Sequence, residues 1–257
     1  MRTPHPRPGQ PRALKLFRLA LQFARGTCVV ALRFPRLGPT QKQQAIQRWA
    51  QQVLAVLEIE VQTNTTPPQD FAGLVVSNHL SWLDVLVLQS LMPAAFVAKN
   101  EVRRWPLVGY MAAACATIFV DRASARSAHT MVDRSAAAMA QGQAIVVFPE
   151  GTSSDGTGLG RFHPNIFESA IRAKAPVQLL TLKYLDRSTG AVDTAAHFTG
   201  DMTLLESLQR VMASSRIRAQ VHIGECLSAQ GHSRKTLAQQ AHTRMHALLF
   251  ASTHEHT

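Results

Sequence analysis

The chain is poor in the residues that build metal centres and disulfide frameworks. It has three cysteines in 257 residues, Cys28, Cys115 and Cys226, odd in number and far apart. They form no metal-ligand spacing and no disulfide framework, which points to a reducing, cytosolic face. The eleven histidines are scattered, with no H-E-x-x-H and no paired Cys/His spacing, so no metal site is expected. No G-x-S-x-G stretch occurs, which argues against the nucleophile elbow of a serine hydrolase. Charged residues are only 17% and hydrophobic residues 46%, so the chain is not a disordered or highly solvated one and can bury a sizeable core. Long apolar runs are missing as well. Lys15, Arg18, Arg25 and Arg33 cut the one candidate spanning segment, and no secretory signal is legible.

Acidic residues are scarce: 16 Asp and Glu stand against 27 Lys and Arg, a formal net charge of +11. Such an excess favours an anionic partner, whether nucleic acid, an anionic membrane surface or a phosphorylated substrate. Nucleic acid is ranked low, because the chain shows no recognisable binding motif and no cluster of stacking aromatics.

The length suits one α/β domain with an N-terminal appendage. Residues 1–12 are Pro-rich and basic, and 251–257 form a polar end; both are expected to be poorly ordered. From Ala13 to Phe34, the apolar residues Leu14, Phe17, Leu21, Ala24, Cys28 and Leu32 recur at helical spacing. Lys15, Arg18, Gln22 and Arg25 flank that stripe. A basic amphipathic helix of this kind lies well in an anionic membrane interface. Pro35, Gly38 and Pro39 break it, and Thr40 is expected to cap a second helix carrying Ile46, Trp49, Val53 and Val56 on one face. The pair makes a membrane-associating helical hairpin over residues 13–58, ahead of an α/β domain over 59–250.

Within that domain one device recurs: an apolar strand, an abrupt polar cluster, then a helix. Leu74–Val76 ends in Ser77-Asn78-His79, Ala95–Ala98 in Lys99, Thr117–Val120 in Asp121-Arg122, and Ala144–Phe148 in Pro149-Glu150-Gly151-Thr152. If these strands are parallel and adjacent, the clusters converge on the carboxyl rim of one sheet, where α/β proteins place reactive groups. Further strands are expected over Val177–Tyr184 and Arg216–Gly224, and helices over 82–92, 124–141, 164–174, 203–214 and 233–250. The fold class is therefore α/β: a mixed, largely parallel central sheet flanked by helices, preceded by the hairpin.

His79 can exchange a proton near neutral pH, and Asp84 stands a little over one helical turn beyond it. The same stretch also fits a capping box, Ser81-x-x-Asp84, which needs no chemistry. Gly151 likewise fits a turn of positive φ.

His79-Leu80-Ser81-Trp82-Leu83-Asp84 resembles the HxxxxD motif of the glycerolipid acyltransferases. Ile118–Arg122 resembles that family's second block, Phe148–Thr152 its third, and Ala175-Pro176-Val177 its fourth. The resemblance covers roughly residues 58–225, and HxxxxD followed by FPEGT is a specific combination. Two departures touch the acceptor. Ser153 stands where lysophosphatidate enzymes often carry Arg, and EGTSSDG resembles instead a bacterial branch that includes lyso-ornithine lipid acyltransferases. The expected acceptor is of the 1-acylglycerol-3-phosphate type, with lyso-ornithine lipid as the alternative.

The resemblance implies transfer of a fatty acyl group from a thioester, acyl-CoA or acyl carrier protein, to a lipid hydroxyl, with no cofactor. It implies His79 as general base and Asp84 as its orienting carboxylate. Arg122 would hold an anionic head group. Glu150, Gly151 and Thr152 would shape the acceptor site, with Phe119 and Lys99 beside them. The expected partners are a membrane lipid acceptor, an anionic membrane surface and acyl carrier protein. The expected location is the cytoplasmic face of a membrane, as a peripheral or monotopic protein.

Overall fold

The computed structural model describes residues 10–121 and 123–250. Its seven strands are β1 (Glu60–Thr63), β2 (Gly73–Ser77), β3 (Ala95–Lys99), β4 (Ile118–Val120), β5 (Ala144–Val147), β6 (Val177–Asp186) and β7 (Ile217–Leu227). They form one sheet in the order β1-β7-β6-β2-β5-β3-β4. The strands from β6 to β4 are mutually parallel, β7 runs antiparallel to β6, and β1 runs parallel to β7. This is the mixed, largely parallel sheet expected from the sequence.

β2 and β5 are buried along their whole length. That is why they read as continuous apolar runs rather than alternating ones. Alternate side chains still serve opposite faces. Val75 and Val146 join the core beneath α2 (Pro39–Val56), α3 (Leu83–Leu91) and α7 (Leu204–Ala213). Leu74, Val76, Ile145 and Val147 join the core beneath α5 (Ala125–Ala140), α6 (Phe167–Ala173) and α8 (Arg234–Phe250). β7 does alternate: Ile217, Ala219 and Val221 are buried while Gln220 and His222 are exposed.

The chain departs from its sequence-level outline in four places. β1 was not foreseen, because Glu60-Val61-Gln62-Thr63 is half polar and pairs only with β7 at the sheet edge. The second helix is capped by Gly38 rather than Thr40, with Pro39 in its first turn and the Gln41 Oε1 accepting the Gly38 N–H at 3.1 Å. Proline there has no N–H to waste and a φ already set for helix. The first helix, α1 (Arg12–Cys28), does not stop at Phe34. It continues through a π-helical turn over Val29–Arg33 and a 3₁₀ turn over Phe34–Arg36. The expected N-terminal tail therefore yields to helix at Arg12, while residues 1–9 and 251–257 lie outside the described residues.

The fourth departure concerns Lys15. Expected to flank an apolar stripe at the surface, it is 1% exposed. Its ammonium meets the Glu58 carboxylate at 2.7 Å and donates to the Met212 carbonyl at 3.4 Å. Burial pushes the Glu58 carboxyl up, but the Lys15 ammonium and the Gln10 N–H outweigh it and hold it below its ordinary value. α1 is thus pinned to the domain by a buried cation, with Leu19 and Val30 packed on the same side. α2 is bound more deeply still: Ala50, Val53, Leu54 and Leu57 belong to the sheet's own core.

Lys15→Met is expected to lower stability by about 1–3 kcal/mol at pH 7, the scale for stranding a buried charged partner. Because the Glu58 carboxyl is held down in the folded state, its stabilising share is present above the unfolded-state value and fades as pH falls through the folded one. The gap between wild type and variant in thermal melts should therefore narrow under acid. A gap that is constant from pH 7 to pH 4 would show that the pair contributes nothing.

Candidate active site

β2 and β5 lie side by side in register, Val76 opposite Val147. His79 and Glu150 each stand three residues beyond that pair, so the register alone carries both to the same level of the carboxyl rim. The link is direct: the His79 N–H donates to Glu150 Oε1 at 2.9 Å. The other carboxylate oxygen, Oε2, accepts the Gly160 N–H at 2.8 Å. A Cβ at residue 160 would sit 2.8 Å from that oxygen, so a side chain there would push the carboxylate out of its place. Burial pushes the Glu150 carboxyl up, and the two N–H bonds offset that only in part. Glu150 therefore acts as a bracket between two loops rather than as an exposed acid.

His79 is held from three sides. Its Nδ1 lies 2.8 Å from Asp84 Oδ2, and its ring stacks on Phe148, centroid to centroid 4.2 Å at an interplanar angle of 12°. Its own carbonyl accepts the Ser154 N–H at 2.8 Å. Asp84 is fully buried. Its Oδ2 also accepts the N–H groups of Leu80 at 2.7 Å and Ser81 at 2.9 Å, and its Oδ1 accepts the Tyr184 hydroxyl at 2.7 Å. The Ser81 N–H to Asp84 bond is half of a capping box, while the Ser81 hydroxyl accepts the Leu83 N–H instead. The helix-start function and the imidazole-orienting function thus fall on one carboxylate. Burial, reinforced by the Asp84 charge, raises the Tyr184 phenol well above its ordinary value, so it remains a proton donor.

Asn78 fixes the strand end itself. Its Nδ2 donates to the Leu182 carbonyl at 2.9 Å and its Oδ1 accepts the Leu182 N–H at 2.8 Å, which splices β2 to β6 just where the ladder runs out. The loop over 153–160 then folds across the rim: Ser153 donates its hydroxyl to the Phe198 carbonyl, and the Phe198 N–H reaches the Leu80 carbonyl at 2.8 Å. His197, buried beneath this loop, has its imidazole pushed down by burial.

The other anticipated residues spread along the rim. Gly151 sits in a turn with φ of 79° and gives its N–H to Phe148; Thr152 is exposed beside it. Lys99 ends β3, one strand beyond β5, and Phe119 lies on β4, with the Arg103 guanidinium 5.8 Å from its ring centroid. At about 4.8 Å per strand, Lys99 stands roughly 10 Å across the sheet from the His79 strand and Phe119 roughly 14 Å. Arg122 lies outside the described residues. So the structure joins His79, Asp84 and Glu150 directly and leaves Lys99 and Phe119 further out.

Sequence reading missed Tyr184, Phe148 and Gly160 as parts of the site. Phe148 was visible within FPEGT. Gly160 was one of several glycines in a loop, and Tyr184 was one more bulky residue in a buried strand, with nothing local to mark it.

Comparison with known proteins bears on the same stretch. A family model described as Acyltransferase matches residues 58–183, which takes in His79, Asp84 and Glu150 and stops one residue short of Tyr184. The chain is 34% identical over 227 residues to the lyso-ornithine lipid O-acyltransferase of Pseudomonas aeruginosa, covering 83% of this chain and 86% of that one. It is 33% identical over 184 residues to the 1-acyl-sn-glycerol-3-phosphate acyltransferase of Neisseria meningitidis, covering 71% of each. In fold it is similar to the 1-acyl-sn-glycerophosphate acyltransferase of Thermotoga maritima, with a TM-score of 0.62 at 19% identity over 93% of this chain and 96% of that one. A rim built around one imidazole and one buried carboxylate, matched at this identity over most of two curated enzymes, leaves a single assignment: the chain belongs to the acyltransferase family.

Proposed function

We propose that the chain transfers a fatty acyl group from an acyl thioester, acyl-CoA or acyl carrier protein, to the free hydroxyl of a lysolipid, with His79 as general base. The observation that carries this is the set of four donors around Asp84. A carboxylate that accepts bonds from two backbone N–H groups and a phenol has only acceptor capacity left for the imidazole. The proton therefore sits on Nδ1, and Nε2 keeps its lone pair for the acceptor hydroxyl. As the hydroxyl oxygen attacks the thioester carbonyl, its proton passes to Nε2 and the carbonyl π electrons move onto oxygen. Collapse of the tetrahedral intermediate breaks the C–S bond, and the imidazolium returns the proton to the leaving thiolate. The protein itself is never acylated.

The developing oxyanion needs donors that are still free. The N–H groups of Leu80, Ser81 and Gly151 are already engaged with Asp84 and Phe148. Among the described residues, the N–H groups of Thr152 and Ser153 have no acceptor, and they flank the Glu150 bracket. They are the donors assigned here.

For the acceptor, lyso-ornithine lipid is the first reading. The Ser153 hydroxyl is bound to Phe198 and offers nothing to a phosphate. The similarity to the Neisseria enzyme keeps lysophosphatidate as the second. Arg122, from its motif, and Lys99, from its place on the rim, are assigned to the head group.

Both substrates make a membrane the working surface, and the cytoplasmic face is where the thioester donor resides. No helix among the described residues is long and apolar enough to cross a membrane. α1 instead turns Leu14, Phe17, Leu21 and Leu32 to solvent, Phe17 being 67% exposed. With Lys15 and Leu19 holding the opposite side to the domain, this stripe is free to enter an anionic interface.

Three outcomes test these assignments. Purified enzyme given labelled acyl-CoA or acyl carrier protein and a panel of lysolipids should acylate lyso-ornithine lipid, and His79→Ala should lose about a hundredfold or more; full activity in the variant would remove His79 as base. Tyr184→Phe removes one of the Asp84 donors and should cost about 1–3 kcal/mol of stability. A variant that melts as wild type does would reduce Tyr184 to packing. Phe17→Glu combined with Leu21→Glu should weaken flotation with phosphatidylglycerol vesicles by about tenfold or more, given the apolar area withdrawn, while unchanged flotation would place the membrane contact elsewhere.

A further inference from the structure

The charge of the chain is not spread over its surface. Residues 1–57 contain ten Lys and Arg and no Asp or Glu, and the first acidic residue is Glu58. The remainder is almost balanced, with 17 basic residues against 16 acidic. Glu58 is already committed to the buried Lys15. The helical segment from Arg12 to Val56 therefore carries eight of these ten charges and no acidic residue of its own.

That cationic segment is not uniformly packed. A cleft of about 160 Å³ opens between the end of α1, its π-helical continuation, α2 and α4 (Val108–Ala114). Val30, Ile46, Trp49 and Met111 give it apolar walls. Arg25, Arg33 and Arg48 also line it and are exposed. None of the three makes an ion pair or a side-chain hydrogen bond among the described residues. The π-helical turn contributes Val29, Val30 and Arg33 to the cleft. Such wide turns are rare and appear often at functional sites. None of these residues belongs to the His79 centre.

We propose that this cleft binds one anionic phospholipid of the membrane, with its phosphate on Arg25, Arg33 and Arg48 and the upper part of one acyl chain against Val30, Ile46, Trp49 and Met111. Three unpaired guanidiniums around an apolar slot match an amphiphile whose polar end is anionic and hydrogen-bonds bidentately. The size sets the extent of the contact. A dry apolar cavity of about 150 Å³ holds a molecule of roughly benzene size, so the cleft takes a short section of one chain and leaves the rest in the bilayer. The surroundings suit a site at that depth: Phe17 and Leu21 on α1, Leu32 on its π-helical continuation, Trp105 and Leu107 ahead of α4 and Tyr110 on it are all exposed hydrophobic residues. The occupant is thus a resident lipid that orients the enzyme, separate from the lysolipid consumed at His79.

The test is native mass spectrometry of the full chain in mild detergent, incubated with phosphatidylglycerol or with phosphatidylcholine of the same acyl chains. One phosphatidylglycerol per chain should be retained in preference to phosphatidylcholine. Arg33→Ala and Arg48→Ala should each weaken retention about fivefold, the share of one basic residue at an anionic lipid surface. Ala45→Phe, which fills the cleft, should abolish it. His79→Ala should retain the lipid as wild type does, so the outcome does not depend on acyl transfer. Equal retention of the two lipids, or a Arg33→Ala protein that melts as wild type and keeps its phosphatidylglycerol, would overturn the proposal. So would a folded Ala45→Phe that still holds the lipid.

Discussion

The Asp84 carboxylate has no contact with water and is held by four donors: an imidazole, two backbone N–H groups and a phenol. A buried ionised carboxylate is expensive unless its lone pairs are filled, and that requirement organises much of what surrounds it. The chain must turn sharply after β2 so that Leu80 and Ser81 can present their N–H groups. β6 must extend far enough past the end of β2 to bring Tyr184 over the carboxylate. Asn78 supplies the splice between those two strands at Leu182, so the phenol and the turn arrive together. The imidazole is the fourth donor, because an ionised carboxylate can only accept. The posture of the His79 ring is therefore a consequence of solvating Asp84 within the protein.

This explains why part of the site was legible in the sequence and part was not. HxxxxD and FPEGT lie in contiguous stretches, because each occupies the turn that ends one strand. Strand ends announce themselves as abrupt changes from apolar to polar residues. The parallel register of β2 and β5 then made the convergence of His79 and Glu150 a geometric necessity, which the strand-end argument anticipated. Tyr184 is separated from Asp84 by a hundred residues, and its role depends on how far β6 overshoots β2. No local signal encodes that. β1 escaped notice for the opposite reason: an edge strand with one neighbour has little to bury, so its composition is that of a loop.

Lys15 shows the limit of periodicity most clearly. Helical spacing correctly separated an apolar stripe from a basic flank, but it placed the helix in an anionic membrane interface and gave Lys15 no partner in the domain. The structure inverts part of this. Lys15 faces inward because Glu58 and the carbonyls of Met212 and Ser214 wait there, while Leu14, Phe17 and Leu21 face outward. A helix pattern records that two faces differ; which face meets the domain is decided by the chemistry available on the domain.

Those two facts together constrain how α1 can sit on the domain. α1 cannot roll to hide its apolar stripe against the domain without pulling Lys15 from its partners, and the uncompensated charges would oppose the roll. Nor can α2 detach to follow it, since Ala50, Val53, Leu54 and Leu57 are built into the sheet's core. The exposed stripe is therefore a fixed feature of a rigid body rather than a flexible anchor. Because α2 also packs directly on α3, the helix that begins at Asp84's own turn, the N-terminal helices and the His79 turn belong to one packed unit. Under the membrane docking proposed above, this rigid connection would set the angle at which His79 meets the acceptor hydroxyl.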